Sequence, residues 1–323
     1  MIDFDESYFE EEVRDGFRIA PMMKRAWAAQ MEVLLEVDRI CRANAIRYFV
    51  NWGTLLGAVR HKGFVPWDDD IDIVMLRDDY QKFCKVAKPQ LPPGYDIVNV
   101  HQYKDYSNLI ARVVNSHFVE FNEERLTRFH GCPYVVGVDI DILDYKSPNP
   151  EEDELQLKLV DIVLESLLVI QGYENDEISI DELRPFLDQV TALCNVRLNY
   201  DVSVKQQLRV LSEYLCMLYT RDEATEVQGL IYRISNRPNY SMPKEWFEDV
   251  IYMPFEGVIE VPVPKGYDAF LRLEYGDQYM TPIRGGNGRD YPFYQGQERE
   301  LVDLLKKNNM TGELFDIDMS KYE

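Results

Sequence analysis

The 323-residue chain carries 35 basic against 57 acidic side chains, a formal net charge of −22, with 46% hydrophobic and 28% charged residues. That balance supports a globular core and excludes nonspecific attraction to nucleic acid or anionic lipid, which an acidic surface repels. An anionic substrate therefore needs a local cationic patch or a metal.

From Pro21 to about Asn44, apolar residues recur at helical spacing (Met31, Leu34, Leu35, Val37, Cys41), which predicts an amphipathic helix. "IRYFV" (46–50) reads as a strand, "GTLLGAVRH" as a helix opened by a Gly-Thr turn, and "DIDIVM" (70–75) as a strictly alternating strand. "RDDYQKFCKVAK" is a helix closed by Pro89, and "YDIVNV" (95–100), "LIARVVN" (109–115) and "YVVGVDIDIL" (134–143) are further strands. Residues 151–234 are helix-rich, with Pro185 expected between two helical runs. "VIYMPFEGVIEVPVP" gives two extended segments, "YDAFLRLEYG" a helix and "RGGNGRDYPFY" a loop. The expected division is an N-terminal helical region (1–45), an α/β core (46–149), a helical insertion (150–240) and a C-terminal return with a tail (241–323).

Five cysteines (41, 84, 132, 194 and 216) and four histidines are scattered without metal-ligand or redox spacing, which points to a reducing compartment. The first residues do not read as a secretory signal, and "LKLVDIVLESLLVI" is too short and too charged to span a bilayer. The expectation is a cytoplasmic protein without a transmembrane segment or a nucleic-acid partner.

The stretch "NWGTLLGAVRHKGFVPWDDDIDIVM" packs Asp68, Asp69, Asp70 and Asp72 into five positions. Alternation puts Asp70 and Asp72 on one face of their strand and Ile71 and Ile73 on the other. "VDIDIL" repeats the pattern with Asp139 and Asp141 against Ile140 and Ile142. Carboxylates converging within ~4 Å repel by about 4 kcal/mol per pair at an effective dielectric near 20. A bound Mg²⁺ (or Mn²⁺) offsets this most simply and orients a substrate phosphate. An EF-hand is excluded, since Ile73 stands where its loop needs glycine.

Gly53 and Thr54 open a helix whose free N–H groups suit phosphate oxygens. Arg60 and Lys62 supply cations nearby, and Arg112 in its strand faces the same site or forms a structural ion pair. His61 reads as structural, and Trp67 as packing beneath the acidic loop.

The segment resembles the LicD family, which includes the animal fukutin-related protein and whose members share a stretch close to "GTLLGAVRHKGFVPWDDDIDI". "GVDIDILDY" and "FEGVIEVPVPKGYDAFLRLEYGDQYM" resemble two further family segments, whereas "TPIRGGNGRDYPFY" departs from the family pattern. The resemblance implies an α/β (α+β) nucleotidyltransferase-like mixed sheet flanked by helices, with 150–240 as a helical insertion. It implies Asp141 as third catalytic carboxylate and metal ligand beside Asp70 and Asp72. It also implies Mg²⁺-dependent transfer of phosphocholine, or a related phospho-alditol, from a CDP-activated donor to a cell-surface glycan such as lipopolysaccharide or teichoic acid.

A choline head group calls for aromatic faces, for which Tyr103, Tyr106, Tyr275, Tyr279 and Tyr291 are candidates. The alternatives are a nucleotide-sugar glycosyltransferase using an Asp-x-Asp motif, a nucleotidylyltransferase of the same fold, and a binding protein with a decayed site. The inserted helices are expected to clamp the acceptor or to form a homo-oligomer.

Overall fold

The computed structural model describes residues 1–104, 106, 108–235, 241–284 and 291–322. The predicted loop at 284–294 therefore lies largely outside the described residues. The N-terminal region holds more than a helix. β1 (Glu12–Arg14) and β2 (Phe17–Ile19) form an antiparallel hairpin. Its Asp15-Gly16 turn has φ of 50° and 74°, the two left-handed positions of a two-residue turn that suits strand twist. α1 (Pro21–Ala43) follows, with proline at its first position and Trp27, Met31, Leu34, Val37 and Ile40 buried.

β3 (Phe49–Val50), α2 (Trp52–Arg60), β4 (Ile71–Leu76) and α3 (Arg77–Val86) come next. β5 (Asp96–Val98), β6 (Ala111–Val114), α4 (Glu123–Arg128) and β7 (Gly137–Tyr145) complete the core. The sheet order is β3-β4-β7-β6-β5; β4 and β7 run parallel at its centre and the remaining pairs in this path are antiparallel. The central strands alternate as expected. Ile71, Ile73, Ile140 and Ile142 are wholly buried on one face, and the aspartates project from the other.

Three long helices follow: α5 (Pro150–Glu174), α6 (Ile180–Leu193) and α7 (Val204–Cys216). Pro185 lies inside α6 rather than between two helices. A reciprocal Ser179–Glu182 cap anchors that helix start, which offsets the one backbone bond the proline gives up. The helical run ends well before residue 240. β8 (Glu226–Gln228) rejoins the sheet by pairing antiparallel with the end of β7 and with β9 (Ser241–Pro243). Three-residue strands of this kind leave no periodicity to read.

β10 (Val250–Phe255) and β11 (Ile259–Pro264) form a separate hairpin, followed by α8 (Tyr267–Tyr275) and α9 (Pro292–Lys307). The result is a mixed sheet flanked by helices, an α+β fold. Among the described residues no helix is long and apolar enough to cross a membrane. All five cysteines are free.

Candidate active site

The acidic loop gets its shape from its backbone partners. Trp27 Nε1 of α1 donates to the Asp68 carbonyl at 2.9 Å, and Gln30 Nε2 to the Asp69 carbonyl at 2.8 Å. The Tyr294 hydroxyl of α9 also donates to the Asp69 carbonyl at 3.1 Å, and that of Tyr291 to Pro66 at 2.6 Å. The start of α2 is stitched to β4 in the same manner. Asn51 N–H donates to the Asp72 carbonyl, and Asp72 N–H to Thr54 Oγ1, each at 2.9 Å.

A cleft of about 640 Å³ opens over this face of the sheet. Asp68, Asp70, Asp72 and Asp141 line it, together with Trp52, Gly53, Arg60, Trp67, Tyr232, Tyr275, Gln278 and Tyr279. Carboxylate oxygens of Asp70, Asp72 and Asp139 lie within 4.8 Å of one another. The parallel register explains this: Asp139 of β7 stands directly beside Asp72 of β4, while Val74 stands beside Asp141. Burial and mutual repulsion raise these carboxyls. Asp70 goes to about 6, through burial first and then Asp69 and Asp139; Asp72 rises well above the carboxylate range, through burial and then Asp70 and Asp141. Burial likewise raises Asp139, against the neighbouring Arg112.

Asp141 shares the cleft but stands outside that triplet. Its Oδ2 accepts from Asn51 Nδ2 and Trp52 Nε1, both at 2.6 Å, and Tyr232 adds a further donor. Register puts Asp139 directly across from Asp72 in the close triplet, while Asp141 remains near enough to Asp72 to raise its carboxyl. Trp52 makes its contact from a left-handed backbone, φ 43°, a conformation costing about 1–3 kcal/mol outside glycine.

The expected phosphate contacts divide. Arg60 lines the cleft, donating from Nη1 to the Tyr279 carbonyl at 2.8 Å. Gly53 lines it too, and its missing side chain admits Asp68, since a Cβ there would lie 1.8 Å from Asp68 Oδ2. Thr54 is buried, with its hydroxyl accepting from Asp72 N–H, so it positions a carboxylate and does not line the cleft. Lys62 is exposed on the turn after α2, and its carbonyl accepts from Glu256 N–H at 2.8 Å. Arg112 pairs with Asp139, Nε to Oδ1 at 3.1 Å, as its register across β6 and β7 dictates; it does not line the cleft.

Of the candidate aromatics, Tyr275 and Tyr279 line the cleft. Tyr103 instead bonds Asp96, Tyr106 lies near Asp139, and Tyr291 stands behind the acidic loop. Trp67 borders the cleft itself, edge-on to Phe17. Asn51, Trp52 and Tyr232 escaped the motif reading. Asn51 and Trp52 directly precede the Gly-Thr pair, but Tyr232 comes from a distant segment that carried no signal.

A family model described as LicD/FKTN/FKRP, nucleotidyltransferase domain, matches residues 45–136. The chain is 27% identical over 253 residues to the lipopolysaccharide cholinephosphotransferase LicD of Haemophilus influenzae, covering 78% of this chain and 89% of that protein. Two uncharacterized rickettsial proteins match shorter stretches. That of Rickettsia typhi is 36% identical over 66 residues (20% of this chain, 21% of its own), and that of Rickettsia prowazekii 42% over 100 residues (25% and 38%). The segment that brings α2, the acidic loop and β4 together is thus the one that matches the LicD/FKTN/FKRP nucleotidyltransferase domain.

Proposed function

We propose that this protein transfers phosphocholine, or a related phospho-alditol, from a CDP-activated donor to a hydroxyl of a cell-surface glycan, with a divalent cation. The reading rests on one observation: Asp70 and Asp72, which line a cleft together with Arg60, gather with Asp139 within 4.8 Å of one another. The similarity to the Haemophilus influenzae cholinephosphotransferase supports the choice of transferred group.

The donor set suits magnesium, which takes few carboxylates and completes its shell with water and phosphate oxygens. Asp70, Asp72 and Asp139 would hold it; burial raises all three carboxyls, and for Asp70 and Asp72 neighbouring carboxylates add to it, a cost that a cation relieves. Once bound it would neutralise charge on the donor phosphates. Arg60 contributes a second positive charge, from the wall of the cleft. Asn51, Trp52 and Tyr232 keep the Asp141 carboxylate turned to one side of the cluster. In the reaction the acceptor oxygen bonds the phosphorus that carries choline, the phosphoanhydride bond breaks, the acceptor hydroxyl loses its proton, and CMP leaves.

The test is a product assay with CDP-choline, CDP-ribitol, CDP-glycerol and UDP-glucose, each with Mg²⁺ and a lipopolysaccharide acceptor. CMP release with phosphocholine on the glycan is the expected result. Sugar transfer with release of a nucleoside diphosphate would instead establish the glycosyltransferase alternative. Melting curves with the same ligands report binding independently, because a ligand selective for the folded state raises the transition.

A further inference from the structure

The turn that follows Arg60 is gripped from two sides by segments outside the matched domain. On one side Asp15, at the tip of the β1–β2 hairpin, places Oδ2 2.7 Å from His61 Nε2. His61 Nδ1 in turn lies 3.4 Å from Arg60 Nε. On the other side Glu256, in the β10–β11 turn, accepts Phe64 N–H at 2.8 Å. Arg14 of β1 reaches the same carboxylate through Nη1 and Nη2 at 2.8 and 3.2 Å. Gly63 makes room for it, since a Cβ there would lie 2.0 Å from Glu256 Oε1.

The donor pattern along this chain is determined. Arg60 Nε can only donate, so His61 Nδ1 accepts, and the ring proton on Nε2 goes to Asp15. This is the neutral imidazole, which burial favours by pushing the His61 pKa down. With Nη1 held by the Tyr279 carbonyl, Nη2 is the edge of Arg60 left without a protein acceptor among the described residues. Arg60 lines the same cleft as Asp68 and Asp70, and the carboxylate that acts on it is that of Asp15; freed of this tether, its long flexible side chain would sample other positions along the cleft wall.

We propose that Asp15 and His61 are positioning residues: through the chain Asp15–His61–Arg60 they hold the guanidinium in place on the cleft wall, with one edge free for the donor's phosphates. The inference rests on Arg60 as a phosphate contact. It makes the N-terminal hairpin, which lies outside the family match, part of the working site.

The experiment is calorimetric titration of the full-length protein with CDP-choline in Mg²⁺, for Asp15→Ala, His61→Gln, His61→Asn and Arg60→Ala. Glutamine keeps a group where Nε2 stood but none at Nδ1; asparagine does the reverse. Loss of one such hydrogen bond should weaken binding about threefold to tenfold in Asp15→Ala and His61→Gln. His61→Asn should recover part of that loss, and KM should rise more than kcat falls. Wild-type affinity in both Asp15→Ala and His61→Gln, with Arg60→Ala weakened, overturns the positioning chain. Wild-type affinity in Arg60→Ala overturns the phosphate role on which the chain depends. Equal melting temperatures separate either result from misfolding.

Discussion

The central sheet and the helical layer solve opposite problems. On the sheet, apolar side chains fill one face and carboxylates crowd the other; the loop carbonyls around them are tied to Trp27, Gln30, Tyr291 and Tyr294. In the layer, α5 leaves Leu155 and Leu168 exposed, as α6 leaves Ile180 and Leu193. The layer also has its own core: Val160, Val163, Leu187, Val190 and Leu208 form an apolar cluster separate from that of the sheet. What joins the two regions is partly ionic. Arg77 of α3 bonds Asp144 of β7 at 2.6 Å and Glu213 of α7 at 3.3 Å, all three buried. A unit with a core of its own, pinned by a charged rivet, can change its outer surface without disturbing the carboxylates.

Breaking the rivet should have the largest effect. Arg77→Met leaves Asp144 buried without its cation and Glu213 with His101 alone, which costs about 3–5 kcal/mol; urea denaturation reads this directly, and two separated transitions would show the layer melting apart from the sheet. Asp72→Asn addresses the other region. Activity should fall by about 10²–10³, the scale of losing one preorganised electrostatic group. The melting temperature should hold or rise, because a repelling charge has gone. Loss of both together would contradict the division between chemistry and stability.

Gly57→Ala tests packing within the matched domain. A Cβ there would lie 2.3 Å from the Gly63 carbonyl, a backbone clash costing about 1–3 kcal/mol, measurable by thermal melts. The smallest effect concerns pH. His101 is ion-paired with Glu213, which raises the histidine pKa and lowers that of the glutamate. The histidine contribution is complete below its unfolded value near 6.5 and is lost as pH rises through the raised folded value. The pair should therefore contribute a modest decline in stability from pH 6 to pH 9, of no more than about 1 kcal/mol given the exposure of His101, and His101→Gln should make the slope shallower by that amount.

Much of the sheet was legible because Asp-Ile-Asp alternation states both a face and a strand. The segments 70–75 and 134–143 became β4 and β7, side by side as expected. Which aspartate of β7 stands across from Asp72 was not legible, since register is set by pairing in three dimensions; it puts Asp139 there, with Asp141 still close enough to raise the Asp72 carboxyl. Lys62 and Thr54 show the same limit, being near in sequence to the site yet turned to other partners. The β1–β2 hairpin was legible in principle: "RDGF" carries the Asp-Gly signal of a two-residue turn, hidden by the acidity around it. β8 offered no signal at all.

The loop's main-chain oxygens carry one last consequence. The carbonyls of Pro66, Asp68 and Asp69 each accept from an indole, amide or phenol donor, so the oxygens this part of the loop offers most readily to an incoming ion are those of its side chains. A large ion such as calcium, which gathers six to eight oxygens and often recruits peptide carbonyls, would be left short of partners here, whereas a small ion that retains its water would not. Discrimination between the two would then arise from the indole of Trp27 and the amide of Gln30, groups that never touch the ion.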